Sequence, residues 1–150
     1  MSFTPNTTLI THLREAEQLL RNVQRERRDH PSNPVTARVA EYFEQSERLI
    51  TDTLDALEED LDEKTLKAYH QNEPADSPVD RLRSHLPPPY DPAEFANWSL
   101  ARHEELAEWC GTLSEKSILG PSKELFGRLS ERLRSLNRQL AADTRSLEQG

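Results

Sequence analysis

Cysteine, glycine and long apolar runs are scarce in this sequence, and each scarcity excludes a class of protein. Cys110 is the single cysteine, which excludes an internal disulfide and favours a reducing, cytoplasmic location. No apolar run approaches the roughly 20 residues that a membrane-spanning helix requires. The opening "MSFTPNTTLI" lacks the basic start and the apolar centre of a secretory signal. We therefore expect a cytoplasmic protein with no membrane partner.

The alternating pattern of strands is also nearly absent, and only four of the 150 residues are glycine. Hydrophobic residues make up 34% of the chain and charged residues 31%, a balance typical of amphipathic helices with wide solvated faces. The apolar residues recur at helical spacing, which argues against disorder. The sequence therefore predicts one all-α domain, residues 1–150, that is long enough to bury a core.

The charge of the chain disfavours a nucleic-acid partner. The formal net charge is −8, so a phosphate backbone would be repelled rather than bound. The one basic cluster, from Arg25 to Arg28, falls in the last turn of the first predicted helix. Cations in that position complement the helix dipole, and we expect this role rather than phosphate binding.

Four long helices are predicted from the apolar spacing, at about 7–28, 34–63, 92–117 and 121–147. The second is expected to continue raggedly to about His70. Segment 71–91 contains five of the ten prolines and is predicted to be a long crossover, because proline inside a helix costs about 3 kcal/mol. Ser77-Pro78 is expected to start a short helix that reaches Leu86. The short turns on either side of the crossover predict two antiparallel hairpins.

The apolar stripe of the second helix is broad. Its central positions are predicted to include Tyr42, Ser46 and Leu49, on one face of the helix. Phe43, Ile50 and Leu54 extend the apolar surface beyond that stripe. We therefore expect a homodimer formed through these three residues of helix two.

The stretch "LARHEELAEWCGTLSEKSILGPSKELFGRLSERLRSLNRQL" resembles the second hairpin of rubrerythrin-type ferritin-like domains. In that family the first helix of each hairpin carries an inward Glu and then an aromatic pair, and the second helix carries Glu-x-x-His. Trp109-Cys110 stands in the place of the aromatic pair, and Leu113-Ser114 in that of a Leu-Ala step. The resemblance implies a ferritin-like four-helix bundle, with two antiparallel hairpins joined by the long crossover.

The same resemblance implies where the metal ligands of the family would stand. Those six positions hold Leu13, Ser46, Leu49, His103, Leu133 and Leu136. One imidazole and one hydroxyl cannot hold a di-metal centre, which needs four carboxylates and two imidazoles. We therefore predict a degenerate site that apolar side chains fill, with no metal, no cofactor and no catalytic residue.

His103 leaves more than one interpretation open. It could anchor a single metal ion with Glu104 or His12, or help to bind a small molecule. We favour an inward histidine that a hydroxyl such as Ser46, or a backbone carbonyl, satisfies. The buried thiol of Cys110 is expected to act as a small hydrophobe.

The expected function is that of a non-catalytic structural or protein-interaction module with an unidentified protein partner. The alternatives are residual metal or small-molecule binding around His103, and a helical chaperone or adaptor. An apolar stripe exposed on the outer face of helix two or four would favour the adaptor. A polar cavity level with Ser46 and His103 would favour small-molecule binding. The segment Pro87 to Tyr90 could dock a partner that recognises proline, but we expect a stiff entry to the third long helix.

Overall fold

Five helices and one small ribbon of two strands form the protein in a computed structural model, which describes residues 3–31, 34–60, 69–71, 77–117 and 120–149. The helices are α1 (Asn6–Asp29), α2 (Pro34–Asp60), α3 (Pro78–Arg83), α4 (Pro92–Lys116) and α5 (Gly120–Gln149). The strands β1 (Phe3–Pro5) and β2 (Tyr69–Gln71) pair antiparallel. The predicted all-α class is confirmed. Among the described helices, none combines the length and the apolarity needed to cross a membrane.

The long helices begin and end close to their predicted bounds, and the differences lie in the crossover. The prediction that the second helix continues to about His70 was wrong. The backbone of residues 69–71 pairs with β1 and so satisfies its hydrogen bonds without a helix. Residues 61–63 of the predicted helix lie outside the described residues. The short helix α3 ends at Arg83 rather than Leu86, because the residue before a proline is disfavoured in helical conformation.

Two antiparallel helix pairs build the bundle, and α2 connects them. The first hairpin is α1 with α2, and the second hairpin is α4 with α5. Between the hairpins, α2 packs against both α5 and α4, while α3 lies against α1 and α4. The short helix of the crossover therefore contacts one helix of each hairpin.

Small side chains hold the second hairpin together at regular intervals. Three interhelical hydrogen bonds are spaced seven residues apart on each helix, as expected for antiparallel helices in a fixed register. They run from Asn137 Nδ2 to Leu100 O (3.2 Å), from Ser130 Oγ to Ala107 O (2.8 Å) and from Ser114 Oγ to Lys123 O (2.7 Å). A Cβ atom added to Gly127 would lie 3.2 Å from Ser114 Oγ, so glycine permits the close approach.

The buried apolar side chains form two separate clusters. The major cluster fills the part of the bundle near the α4–α5 turn and includes Leu13, Leu20, Ile50, Leu54, Leu106, Leu133 and Leu136. The minor cluster lies near the α1–α2 turn and comprises Val39, Ala40, Phe43, Phe95, Ala96 and Leu140. Each of the long helices α2, α4 and α5 contributes side chains to both clusters.

The end of α1 anchors the crossover through a buried guanidinium. Arg27 is 1% exposed; its Nη2 donates to the carbonyl of Pro88 and its Nε to that of Pro89, at 3.4 Å. The guanidinium also stacks 3.6 Å from the centre of the Tyr90 ring. These contacts use the polyproline carbonyls inside the chain, in agreement with the interpretation of Pro87 to Tyr90 as a stiff entry to α4.

The other arginines of the basic run also have partners within the chain. Arg25 and Arg28 both bind the carboxylate of Glu44, whose side chain is only 3% exposed. The basic run therefore ties α1 to α2 and to the crossover, beyond the favourable position at the helix end that the sequence predicted.

Replacing Arg27 with alanine should lower the free energy of unfolding by about 2–4 kcal/mol, because the buried carbonyl of Pro88 and the half-buried carbonyl of Pro89 lose a charged donor. Arg27→Lys should recover only part of this, since an ammonium cannot reproduce the planar fork of donors. The measurement is urea unfolding followed by circular dichroism. The control is Arg132→Ala, at an exposed position of α5, which should change stability by less than about 0.5 kcal/mol. Equal losses for the two alanine variants would refute the anchoring role.

Candidate functional site

A buried carboxylate, that of Glu47, lies at the centre of the bundle. Its side chain is 0% exposed, because Glu47 occupies the inward face of α2, one turn after Phe43 and one turn before Ile50. Glu47 Oε1 accepts a hydrogen bond from Gln24 Nε2 of α1 at 3.1 Å. The same oxygen forms a short contact with Nε2 of His103 on α4. One carboxylate oxygen therefore joins three helices.

The imidazole of His103 is equally enclosed, at 1% exposure, and its ring centre lies 5.7 Å from that of Phe43. Burial, the largest single influence, lowers the pKa of His103. The negative charge and hydrogen bond of Glu47, together with the nearby Asn137, act in the opposite direction and raise the pKa above its ordinary value of 6.5. The geometry therefore favours an imidazolium paired with a carboxylate.

Asn137 of α5 completes a layer of four polar side chains, one from each long helix. Its Nδ2 donates to the backbone carbonyl of Leu100 on α4, which directs the amide oxygen away from that carbonyl. Neither Asn137 Oδ1 nor His103 Nδ1 has a hydrogen-bond partner among the described residues. We call Gln24, Glu47, His103 and Asn137 the polar layer.

The polar layer separates the two apolar clusters. Along α2, Phe43 of the minor cluster precedes Glu47, and Ile50 of the major cluster follows it. Along α5, Leu136 of the major cluster precedes Asn137, and Leu140 of the minor cluster follows it three residues later. The layer is therefore a polar interruption within the hydrophobic interior, and its charges are removed from water on both sides.

The predicted ligand positions are only partly together in the structure. Leu13, Leu133 and Leu136 belong to the major cluster, and Ser46 and His103 are also buried. Leu49, however, is 48% exposed, so its assignment to an inward layer was wrong. The inward stripe of α2 passes through Glu47 and Ile50, one residue further along the chain than the predicted Ser46 and Leu49.

The charge of Glu47 caused this error. The true stripe contains an acidic residue in its middle, whereas the neighbouring stripe through Tyr42, Ser46 and Leu49 contains none. A prediction that assigns only uncharged residues to the interior therefore selects the wrong stripe. The expected Ser46 partner of His103 was also wrong, because Glu47 holds the imidazole. The available signal was the spacing of Glu47 from Phe43 and Ile50, at four and three residues, which places it on their face.

The residues proposed for the dimer contact lie elsewhere than expected. Phe43, Ile50 and Leu54 are each at most 2% exposed, so they belong to the core and cannot form the predicted surface. The large apolar side chains that α2 exposes are Tyr42 (41%) and Leu49 (48%). The reason is the same shift of one residue in the inward stripe.

An open groove of about 160 Å³ runs beside these two exposed residues, between α2 and α5. We call it the α2–α5 groove. Its α2 side is formed by Tyr42, Gln45, Ser46 and Leu49, and its α5 side by Leu136, Gln139, Leu140 and Asp143. The groove is therefore mainly apolar and uncharged, with a single acidic residue in its lining. Ser46 lines it, but His103 does not.

The described part of the chain contains few groups suited to metal binding or to nucleophilic catalysis. Within it, no three side chains of His, Cys, Asp or Glu converge as a metal site would require. Glu104, a suggested ligand beside His103, instead contacts Arg134 at 3.4 Å. Burial raises the pKa of the Cys110 thiol to about 12, so this side chain remains a neutral thiol at physiological pH.

The fold and the site define an all-α bundle with a buried, charged polar layer. In comparisons with known proteins, no family model, curated protein or solved structure matches this chain. The ferritin-like resemblance therefore stays a prediction, and the interpretation of the site depends on its geometry.

The Glu47–His103 pair should show strong coupling in a double-mutant cycle. Glu47→Leu and His103→Leu should each lower the free energy of unfolding by about 3–5 kcal/mol, because each leaves the other charge buried without its partner. The double variant should be close to the wild type, since two apolar side chains then fill the same space. Urea unfolding of the four proteins measures the coupling. Losses that simply add would contradict a buried ion pair.

Proposed function

We propose that this chain is a non-catalytic, ferritin-like helical bundle that has lost its di-metal site and acts through contact with other protein chains. A cytoplasmic location belongs to the proposal, because a single buried thiol suits a reducing compartment. The observation that carries the proposal is the pairing of Glu47 with His103 inside the polar layer, together with the α2–α5 groove on the surface.

The arrangement of the long helices supports the ferritin-like part of the proposal. Two antiparallel hairpins are separated in sequence by the crossover that contains α3. One polar side chain from each long helix contributes to a single layer, which is also how di-metal carboxylate bundles place their ligands. Here that layer contains one carboxylate, one imidazole and two amides, and the carboxylate already binds the imidazole.

The enclosure of the polar layer supports a non-catalytic role. General acid–base catalysis requires a group within hydrogen-bond reach of the proton that it transfers. The side chains of Glu47 and His103 are 0% and 1% exposed, and the lining of the α2–α5 groove does not include either of them. A substrate would therefore have to separate the helices before it could meet this pair.

The α2–α5 groove supports protein contact, and we infer that a second copy of the chain occupies it. Tyr42 and Leu49 are seven residues apart and therefore lie on one face of α2. If two copies pack with their α2 helices antiparallel, Tyr42 of each copy meets Leu49 of the other, which satisfies the two-fold symmetry of most homodimers. Asp143 is the one charged residue in the lining of the groove, so such a contact would bring few like charges together. An amphipathic helix from another protein fits the same groove, which is the adaptor alternative.

Substitution of Leu49 with glutamate should abolish self-association, because it places two carboxylates in the contact between the copies. Analytical ultracentrifugation at micromolar to high micromolar concentration should show wild-type dimer and variant monomer. The control Ala101→Glu adds the same charge at an exposed position of α4 and should leave the dimer intact. A wild-type protein that stays monomeric throughout would refute the dimer and leave the adaptor alternative.

Metal analysis tests the loss of the di-metal site. Untagged protein produced with iron, manganese and zinc supplied should contain less than about 0.1 equivalent of each metal by mass spectrometry. The reason is that one carboxylate and one imidazole, which already bind each other, offer too few ligands for a di-metal centre. His103→Ala should not change that content. Two equivalents of iron or manganese would contradict the proposal, and one equivalent lost in His103→Ala would favour residual metal binding.

A further inference from the structure

We propose that His103 is a proton-operated latch: the two hairpins take up one proton when they close on each other, and the imidazolium of His103 holds that proton. This inference goes beyond the proposed function and does not depend on it. It follows from the hydrogen-bonding roles of the groups that lie on either side of the imidazole ring.

Both groups beside the ring are acceptors. On one side, Glu47 Oε1 faces Nε2 of His103, and a carboxylate accepts hydrogen bonds but cannot donate them. On the other side, the Asn137 amide lies close enough to influence the ring. Its Nδ2 donates one of its two N–H groups to the carbonyl of Leu100 at 3.2 Å, and its Oδ1 is a buried acceptor without a partner among the described residues. Of the three protonation forms of imidazole, the cation alone has a donor on each ring nitrogen.

The unpaired atoms agree with this assignment. Asn137 Oδ1 and His103 Nδ1 are both buried and lack a strict hydrogen-bond partner among the described residues. A proton on Nδ1 would place a donor on the side of the ring that the Asn137 amide influences. A neutral ring with its proton on Nδ1 would place the lone pair of Nε2 against the carboxylate of Glu47, which cannot donate. A neutral ring with its proton on Nε2 would leave the buried carboxylate of Glu47 without a countercharge.

Among the described residues, Glu47 is the ionisable group that contacts the imidazole ring. From α2, Glu47 faces the ring and Phe43 packs on it; from α1 and α5, the neighbours in the polar layer are the uncharged amides of Gln24 and Asn137. On α1, the buried carboxylate of Glu17 and the buried Nε of Arg21 have no hydrogen-bond partner among the described residues. Other charges of the packed helices are paired. Glu44 binds Arg25 and Arg28, Arg27 holds the crossover carbonyls, and on α4 itself Arg102 pairs with Glu105 and Glu104 with Arg134.

The ion pair also spans the two hairpins. Glu47 and Gln24 belong to the first hairpin, and His103 and Asn137 belong to the second. Loss of the proton leaves the carboxylate of Glu47 buried without a countercharge, in an interior that penalises such a charge heavily. Separation of the hairpins relieves this penalty because water then reaches both groups. Closure of the bundle is therefore linked to protonation.

The sign of the linkage follows from the raised pKa of His103 in the folded protein. The stability supplied by the pair is fully present below the unfolded pKa of about 6.5. It is lost as pH rises through the higher pKa of the folded state, because the folded protein then binds more protons than the unfolded chain. Between these two values the unfolding constant should rise by up to tenfold for each pH unit.

Two experiments test the latch. In the wild-type protein, nitrogen NMR of the imidazole between pH 6 and 9 should show that His103 loses its second ring proton at a higher pH than a histidine of the urea-unfolded chain, because the pKa of His103 is raised in the folded protein. Loss of that proton at the same or a lower pH would overturn the proposal. This measurement requires no variant, so it does not depend on whether a substituted chain folds.

Urea unfolding between pH 6 and 9 then measures the linkage. The wild-type unfolding constant should rise with pH, and the double variant Glu47→Gln/His103→Gln should lose that rise because neither residue can titrate. His85→Gln is the matched control, since His85 also contacts a glutamate, Glu105, but is 43% exposed. It should keep the wild-type pH dependence. An unchanged slope in the double variant, or a slope lost in the control, would overturn the assignment to His103.

Discussion

A carboxylate removed from water is costly without a cation beside it, and this cost at Glu47 constrains the rest of the bundle. The inward face of α2 cannot enclose Glu47 unless His103 of α4 lies beside it, because an unpaired buried charge costs several kcal/mol. That contact sets the level of α4 against α2, and the α4–α5 hydrogen bonds then set the level of α5. Apolar packing alone tolerates sliding between helices far better than this pairing does.

The polar layer divides the hydrophobic interior into two apolar clusters. Apolar packing alone does not require this division. Apolar residues lie on both sides of it, and replacing the ion pair with leucines would join the two clusters into one. The retention of a charged pair in that place is consistent with a role in specificity, in which one arrangement of the hairpins satisfies the buried groups and others do not. The same enclosure separates the pair from the surface, where Tyr42 and Leu49 offer a contact.

The second hairpin illustrates how much local pattern can predict. The stripe from Phe126 to Leu140 has the three-and-four spacing of a buried helix face, and each of its leucines is buried in the structure. α2 illustrates the limit of the same method. Two adjacent stripes had similar apolar content, and the correct one contained Glu47, so hydrophobic spacing favoured the exposed Tyr42 and Leu49 instead. A shift of one residue turns a helical side chain by about 100°, which is enough to exchange core for surface.

The sequence by itself determined the helical class, the approximate bounds of the long helices and the stiff crossover, because these depend on spacing, capping and proline within a short stretch of chain. It also placed His103 in the interior. Only the tertiary structure decided that the partner of His103 is Glu47, that Gln24 and Asn137 join them, and that β2 returns to pair with β1. Those contacts connect residues distant in sequence, and whether a buried charge is stable depends on which neighbour the fold brings to it.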